Sequence, residues 1–391
     1  MSLLPVARYV ELLSSPKSLK RQDQCPLLDN RSCDLRMHAV VKREREPGAQ
    51  VEEVPLPAIG KGEVLVKTKM TSICGTDVHI WDWNHWAQKR VKTLPIIFGH
   101  ELCGEVSEVG KGVKKVAVGD SVSAETHIVD GTCYQCRIGR MHICRNMKIL
   151  GVDTDGVFAE YVRLPERNAI KLPKGLEPKL GSLLEPLGNA TFTVFPNDCF
   201  HDIKGKNVVV AGCGPIGLMA IALLKTVGAR QIIATELASE KVRSDLAKRM
   251  GSDFVLDAAM GNGALVKEVK ELTDGNGADV CLEMSGAAPA LKQVFEMLTP
   301  GGRVSILGLY NDPVAIDVNN AITFKSATVF GITGRKMFQT WDTMFKVLKN
   351  PAFRSKLSLI VTHTLPIRDI EKGMELIRTR QAAKVSLKPE W

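Results

Sequence analysis

Hydrophobic and polar positions change rhythm near the middle of this chain. From Val40 to about Glu185, short stretches alternate apolar with polar residues, as in EVLVKTKM (63–70), GEVSEVG (104–110) and DSVSAE (120–125), with glycine-rich turns between them. A period of two marks half-buried strands, so this half predicts an all-β unit. From about Lys206 the runs become continuously apolar: NVVVAG (207–212), QIIATE (231–236), DFVLDA (253–258), ADVCLEMSG (278–286) and GRVSILGLY (302–310). Strands buried on both faces of a parallel sheet read this way. Helical patterns fall between them at Ile216–Val227, Lys241–Met250 and Ala290–Leu298. Strands alternating with helices predict βαβ units and an α/β fold.

The two ends differ from the middle. Residues 336–391 carry a helical pattern and then KVSLKP, a strand-like close that predicts a return to the first unit. Residues 1–36 have no clean period and carry proline at positions 5, 16 and 26. Their apolar run is too short for a secretory signal, and their acids argue against a transit peptide. The expectation is a disordered extension or a misassigned start, with a targeting peptide as the alternative.

Composition narrows the class. At 391 residues, 45% hydrophobic and 24% charged, the chain is long enough for two cores. No apolar run approaches eighteen residues, so no transmembrane helix is expected. The formal charge of +9 is scattered rather than clustered, which suits steering of an anionic ligand better than a nucleic-acid footprint.

The run NVVVAG leads straight into Gly212-Cys213-Gly214-Pro215-Ile216-Gly217. This G-x-G-x-x-G motif follows a buried strand, opens a helix, and has an acid, Glu236, at the end of the next strand. That context makes it a dinucleotide site. Gly212 allows the tight turn, Gly214 lets a pyrophosphate approach, and Gly217 brings helix and strand together. A carboxylate at Glu236 accepts from ribose hydroxyls and repels a 2′-phosphate, so NAD is expected over NADP.

Ten cysteines are too dilute for a disulfide scaffold, and three of them fall within twelve residues. Cys74 follows a strand, and His100-Glu101 comes shortly after it in the chain; a thiolate, an imidazole and a carboxylate can hold three corners of a zinc tetrahedron with the fourth open. Asp130-x2-Cys133-x2-Cys136-x7-Cys144 suggests a second, closed site with aspartate where a cysteine is expected. An oxygen ligand is acceptable to zinc but harder, and a vacated lobe is the alternative.

CGTDVHIW, FGHELCGEVSEVG, the cysteine lobe and GCGPIGLMA together resemble the zinc-dependent medium-chain dehydrogenases, from about Met37 to the C-terminus. The resemblance implies a GroES-like β-rich catalytic domain over 37–188, with a metal lobe near 127–147. It implies a Rossmann NAD-binding domain with a doubly wound sheet over 189–335, and a C-terminal return over 336–391. It implies a catalytic zinc on Cys74, His100 and Glu101, a nearby acid at Glu185, and a proton relay through Thr76 and His79, the latter titrating near neutrality. Toward NAD it implies Ile216, Glu236, an arginine taken as Arg243 (Lys241 is the alternative), Leu307, Gly308, Leu309, Ile332 and Thr333. The segments WDWNHWAQ and GITGR narrow the resemblance to enzymes that oxidise the secondary alcohol of L-threonine to 2-amino-3-ketobutyrate. Polyol, glucose or 2,3-butanediol oxidation remains the alternative within the class, and a non-catalytic NAD-binding protein the alternative outside it. The partners implied are a small-molecule substrate and other copies in a homotetramer, without nucleic acid or membrane, in the cytoplasm.

Overall fold

The computed structural model describes residues 35–391. Of the extension expected over residues 1–36, all but Leu35 and Arg36 lies outside the described residues. Two sheets organise the rest.

The first is antiparallel in its main body. The long strand Glu63–Ser72 pairs with Glu101–Val109 on one side and with Tyr161–Pro165 and Lys384–Lys388 on the other. Its Val64 and Val66 pack with Leu102, Val106 and Val122, while Lys67 and Lys69 are exposed on the other face. The C-terminal strand Lys384–Lys388 is therefore not peripheral. It sits against Thr71 and Ser72, and Ser72 in turn faces Glu101 across the next ladder. Three strands from opposite ends of the chain thus converge on one carboxylate.

The all-β reading of this half needs one correction. Two short helices, Gly75–Asp82 and His85–Arg90, follow the long strand. Asn84 caps the second with its side chain, accepting from the Ala87 N–H at 3.2 Å. Helices this short leave no readable 3.6-residue period, and packing holds them rather than propensity.

The second sheet has six strands, all parallel, in the order Phe254–Asp257, Gln231–Glu236, Asn207–Ala211, Ala278–Glu283, Leu298–Ile306, Thr328–Gly331. In chain order this is 3-2-1-4-5-6, and the direction of winding reverses between the first and fourth strands. Ala211 and Glu283 end side by side there, so the crevice such sheets use for ligands opens just beyond them. Asn207–Ala211 is buried at every residue, as its uninterrupted apolar run requires. The helix Pro215–Val227 begins with proline in its first turn and stops at Gly228, whose φ of +85° is the left-handed cap glycine favours. Gly217 has no room for a side chain: a Cβ there would lie 2.0 Å from the Gly212 carbonyl oxygen.

The helix Leu184–Val194, almost wholly buried, packs on Pro215–Val227 and joins the two sheets through one large core. Helices Gln339–Leu348 and Pro351–Leu359 pack on the same pair, and the chain re-enters the antiparallel sheet at Val361. No helix among the described residues is long and apolar enough to cross a membrane.

Candidate active site and nucleotide cleft

Cys74 ends the loop after the long strand, at the head of the helix Gly75–Asp82, and His100 and Glu101 open the neighbouring strand. One ligand atom from each lies within 4.8 Å of the others. His100 and Glu101 are buried and Cys74 is partly so, and the donor set of sulfur, nitrogen and oxygen suits zinc. Asp77, fully buried, supports two of the three. Its Oδ2 accepts from the Cys74 N–H at 2.8 Å, and its Oδ1 stands 3.4 Å from His100 Nδ1 with no hydrogen-bond partner on either atom. A carboxylate behind an imidazole fixes the ring so that the other nitrogen faces the metal.

Glu101 is held from behind as well. Lys384 Nζ, itself buried, donates to its Oε1 at 2.5 Å and to the Ile73 carbonyl at 3.0 Å. Ser72 Oγ donates to Glu101 Oε2. Any metal contact by Glu101 shares the carboxylate with Lys384.

Glu185 lies on the buried helix Leu184–Val194, where it meets Arg335, a guanidinium with no exposed surface. Arg335 Nε and Nη2 donate to the two oxygens of Glu125 at 2.8 and 2.6 Å. Nη1 donates to Glu185 at 2.6 Å and Asn189 at 3.2 Å, and Nη2 also donates to Thr126 at 2.7 Å. Trp341 adds a donor to Glu125 at 2.8 Å. Burial alone would raise the Glu185 carboxyl, but the guanidinium holds it down at about 2. His127 is tucked beneath Gly334, where a Cβ would fall 2.2 Å from the ring. Burial, helped by Arg335, lowers its pKa to about 4, so it is neutral at physiological pH.

Thr76 and His79 lie one turn apart on the helix Gly75–Asp82. Asn84 Nδ2 donates to His79 Nδ1 at 2.6 Å, and the ring lies 5.6 Å from Trp86. Partial burial moves His79 below its ordinary value, with Asp82 opposing, a departure from the titration near neutrality expected of it.

A cavity of about 700 Å³ opens beyond the ends of the parallel strands, lined by Gly212, Gly214, Glu236, Arg243 and Ser285 among others. Gly212 has φ +98°, and nothing stands within 4 Å of the Cβ position of Gly214. Glu236 is braced by its own backbone surroundings, accepting from the Cys213 N–H at 2.9 Å and the Leu237 N–H at 2.8 Å. Arg243 lines this cavity and Lys241 does not. Leu307–Leu309 and Ile332–Thr333 follow the two adjacent strands Leu298–Ile306 and Thr328–Gly331, outside the lining of the cavity. Ile216 also lies outside that lining.

The lobe brings Asp130, Cys133, Cys136 and Cys144 together, with one donor atom from each within 4.8 Å of the rest. Backbone N–H donors lower the Cys133 thiol to about 7, while burial and the neighbouring sulfurs raise Cys136 to about 12. One thiolate forms readily and the next resists, a charge problem that a dication resolves. Asp130 accepts from the N–H groups of Thr132 (2.7 Å) and Cys133 (3.0 Å) and from Asn146 (2.6 Å). A carboxylate has about four lone-pair sites, so one remains for a metal.

The sequence did not single out Asp77, Glu125, Arg335 or Lys384 as site residues. Glu125, Arg335 and Lys384 gave no signal because the partners in their ion pairs lie far away in the chain, whereas Asp77 stands three residues after Cys74 and its nearness to that thiol was the available clue.

The comparisons with known proteins agree with this geometry. Residues 60–174 match the alcohol dehydrogenase GroES-like domain, and residues 215–350 match the zinc-binding dehydrogenase family. An L-threonine 3-dehydrogenase of Pyrococcus abyssi is 49% identical over 353 residues, covering 90% of this chain and 98% of its own. That of Bacillus licheniformis is 48% identical, covering 91% and 100%. Among solved structures, an alcohol dehydrogenase from Thermotoga maritima superposes with a TM-score of 0.82 at 28% identity, covering 91% of this chain and 100% of that one. A 2R,3R-butanediol dehydrogenase from Bacillus subtilis gives 0.79 at 29% identity, covering 90% and 100%.

Two outcomes follow from the buried charges. Arg335→Met strands Glu125 and Glu185 without a cation and costs about 3–5 kcal/mol, read as a lower denaturation midpoint, and Arg335→Lys recovers only part of it. A midpoint within error of wild type contradicts the network. His127 binds its proton less readily folded than unfolded, so its contribution is complete above pH 6.5 and is lost as the pH falls through about 4. That contribution is about 3 kcal/mol, so His127→Gln flattens the loss of melting temperature between pH 6.5 and 4. Parallel curves for the two proteins contradict it.

Proposed function

The chain belongs to the zinc-dependent medium-chain dehydrogenases, and we propose that it oxidises the secondary alcohol of L-threonine to 2-amino-3-ketobutyrate with NAD as acceptor. The observation that carries this reading is similarity, over about nine-tenths of this chain and nearly all of theirs, to L-threonine 3-dehydrogenases at close to half identity.

In this reading Cys74, His100 and Glu101 would hold the catalytic zinc and Asp130, Cys133, Cys136 and Cys144 a structural one. When bound, zinc supplies a Lewis acid that acidifies the alcohol, and NAD supplies the hydride acceptor. The residues do the rest. Asp77 orients His100, and Lys384 and Ser72 keep Glu101 in place. Thr76 Oγ1 takes the proton of the alcohol and passes it to His79, which faces solvent on the next turn. A depressed pKa suits His79 to transient carriage, because it releases the proton at once. Glu185, kept ionised by Arg335, sets a negative potential near the reacting centre rather than giving up a proton of its own. Gly212, Gly214, Ile216 and Gly217 would seat the pyrophosphate end, Glu236 and Arg243 the adenosine ribose, and Leu307–Leu309 with Ile332 and Thr333 the nicotinamide.

The protein would work as a homotetramer in the cytoplasm. Val318, Phe324 and Val329 stand exposed on and near the edge strand of the parallel sheet, which favours self-association. None of the eight cysteines among the described residues is paired in a disulfide, which favours a reducing compartment.

Purified protein given NAD should form NADH with L-threonine and lose that activity on prolonged chelation. Sorbitol, glucose and 2,3-butanediol should react at least about a hundredfold less efficiently, a gap near 3 kcal/mol. Preference for any of those three overturns the substrate. The protein should also carry close to two zinc ions per chain, one of them lost in Asp130→Ala together with several degrees of melting temperature. One zinc per wild-type chain, with Asp130→Ala melting like wild type, shows an empty lobe.

A further inference from the structure

The nucleotide cavity carries more charge than Glu236 accounts for. Glu240, Arg243 and Arg380 line it as well. Glu240 stands at the head of the helix Lys241–Met250, and its side chain is only 2% exposed. Arg380 donates to its Oε1. Its Oε2 faces Arg243 Nε at 3.5 Å, and neither of those two atoms has a hydrogen-bond partner.

Arg380 reaches this carboxylate from the other end of the chain, just past the helix Ile370–Arg378. Its φ of +61° lies in the left-handed region that favours glycine. The Arg380 N–H donates to the Ile377 carbonyl at 3.1 Å and the Gln381 N–H to the Leu376 carbonyl at 2.9 Å, a left-handed helix close that holds this conformation and leaves the side chain on Glu240. The Arg380 side chain remains 58% exposed and that of Arg243 26% exposed. Both guanidiniums can therefore be approached by a ligand, and one buried carboxylate engages them both.

We propose that Glu240 is a specificity-determining residue of the cofactor site, an internal carboxylate that occupies Arg243 and Arg380 and so withholds them from the 2′-phosphate of NADP. The inference rests on reading this cavity as the adenosine end of the NAD site. A 2′-phosphate needs cations, and a pair of guanidiniums is the arrangement that suits it best. While Glu240 holds both, the phosphate must displace an intramolecular partner. Glu236 and Glu240 thus reject the phosphate differently, one by repulsion and the other by removing its partners.

The test uses the full chain and two probes, 5′-AMP and 2′,5′-ADP, titrated by calorimetry. Wild type should bind 5′-AMP and bind 2′,5′-ADP far more weakly. Glu240→Gln keeps the shape and removes the charge. It should tighten 2′,5′-ADP by about tenfold or more while 5′-AMP stays within about threefold. Adding Arg380→Gly to Glu240→Gln should erase most of that gain, and Arg380→Gly alone should produce none. Should Glu240→Gln fail to fold, Glu240→Thr decides, because threonine is a favourable residue at the head of a helix. Retained 5′-AMP binding with no tightening of 2′,5′-ADP in the folded variant overturns the proposal and leaves the cofactor site standing. Wild type that binds neither probe overturns both.

Discussion

A guanidinium with no exposed surface cannot be left without carboxylates, and Arg335 imposes that condition on three parts of the chain at once. Glu125 and Thr126 come from the antiparallel half, Glu185 and Asn189 from the joining helix, and Arg335 itself from just beyond the last parallel strand. An unpaired charge in such a setting is far more costly than an unmade neutral hydrogen bond. The three segments therefore settle together or not at all. Lys384 and Glu101 repeat the device on a smaller scale, fastening the last strand of the chain to the carboxylate beside His100. Chemistry that needs atoms placed within a few tenths of an ångström rests on these ties.

Much of the architecture could be read from the residues because its determinants are local. The apolar run before Gly212, the three glycines and the acid ending the next strand all lie within the thirty positions 207–236, and each has its own steric or electrostatic reason. The lobe cysteines declare themselves by spacing. Cys74 and His100-Glu101 were legible as donor types, and the register of Ser72 against Glu101 explains why they meet.

What could not be read is what depends on distant pairing. Arg335 stands 210 positions from Glu125, Lys384 283 from Glu101, and Arg380 140 from Glu240. Each appears in the sequence as one more basic residue near the end of an element, where a solvated side chain is the ordinary outcome. The short helices after Cys74 were hidden for a related reason, since two turns give no period to recognise. His79 shows the limit in electrostatics: its ring type suggests titration near neutrality, and only the neighbouring packing shows that its proton is held less tightly.

We propose that Cys74, His100 and Glu101 form the metal centre at which threonine is oxidised. Diffraction at the zinc absorption edge, from crystals grown with NAD and threonine, tests it most directly. The expected result is an anomalous peak about 2.0–2.3 Å from Cys74 Sγ and a His100 ring nitrogen, with Glu101 and the substrate hydroxyl completing the site. A fully active crystal with no anomalous peak at these residues would contradict it.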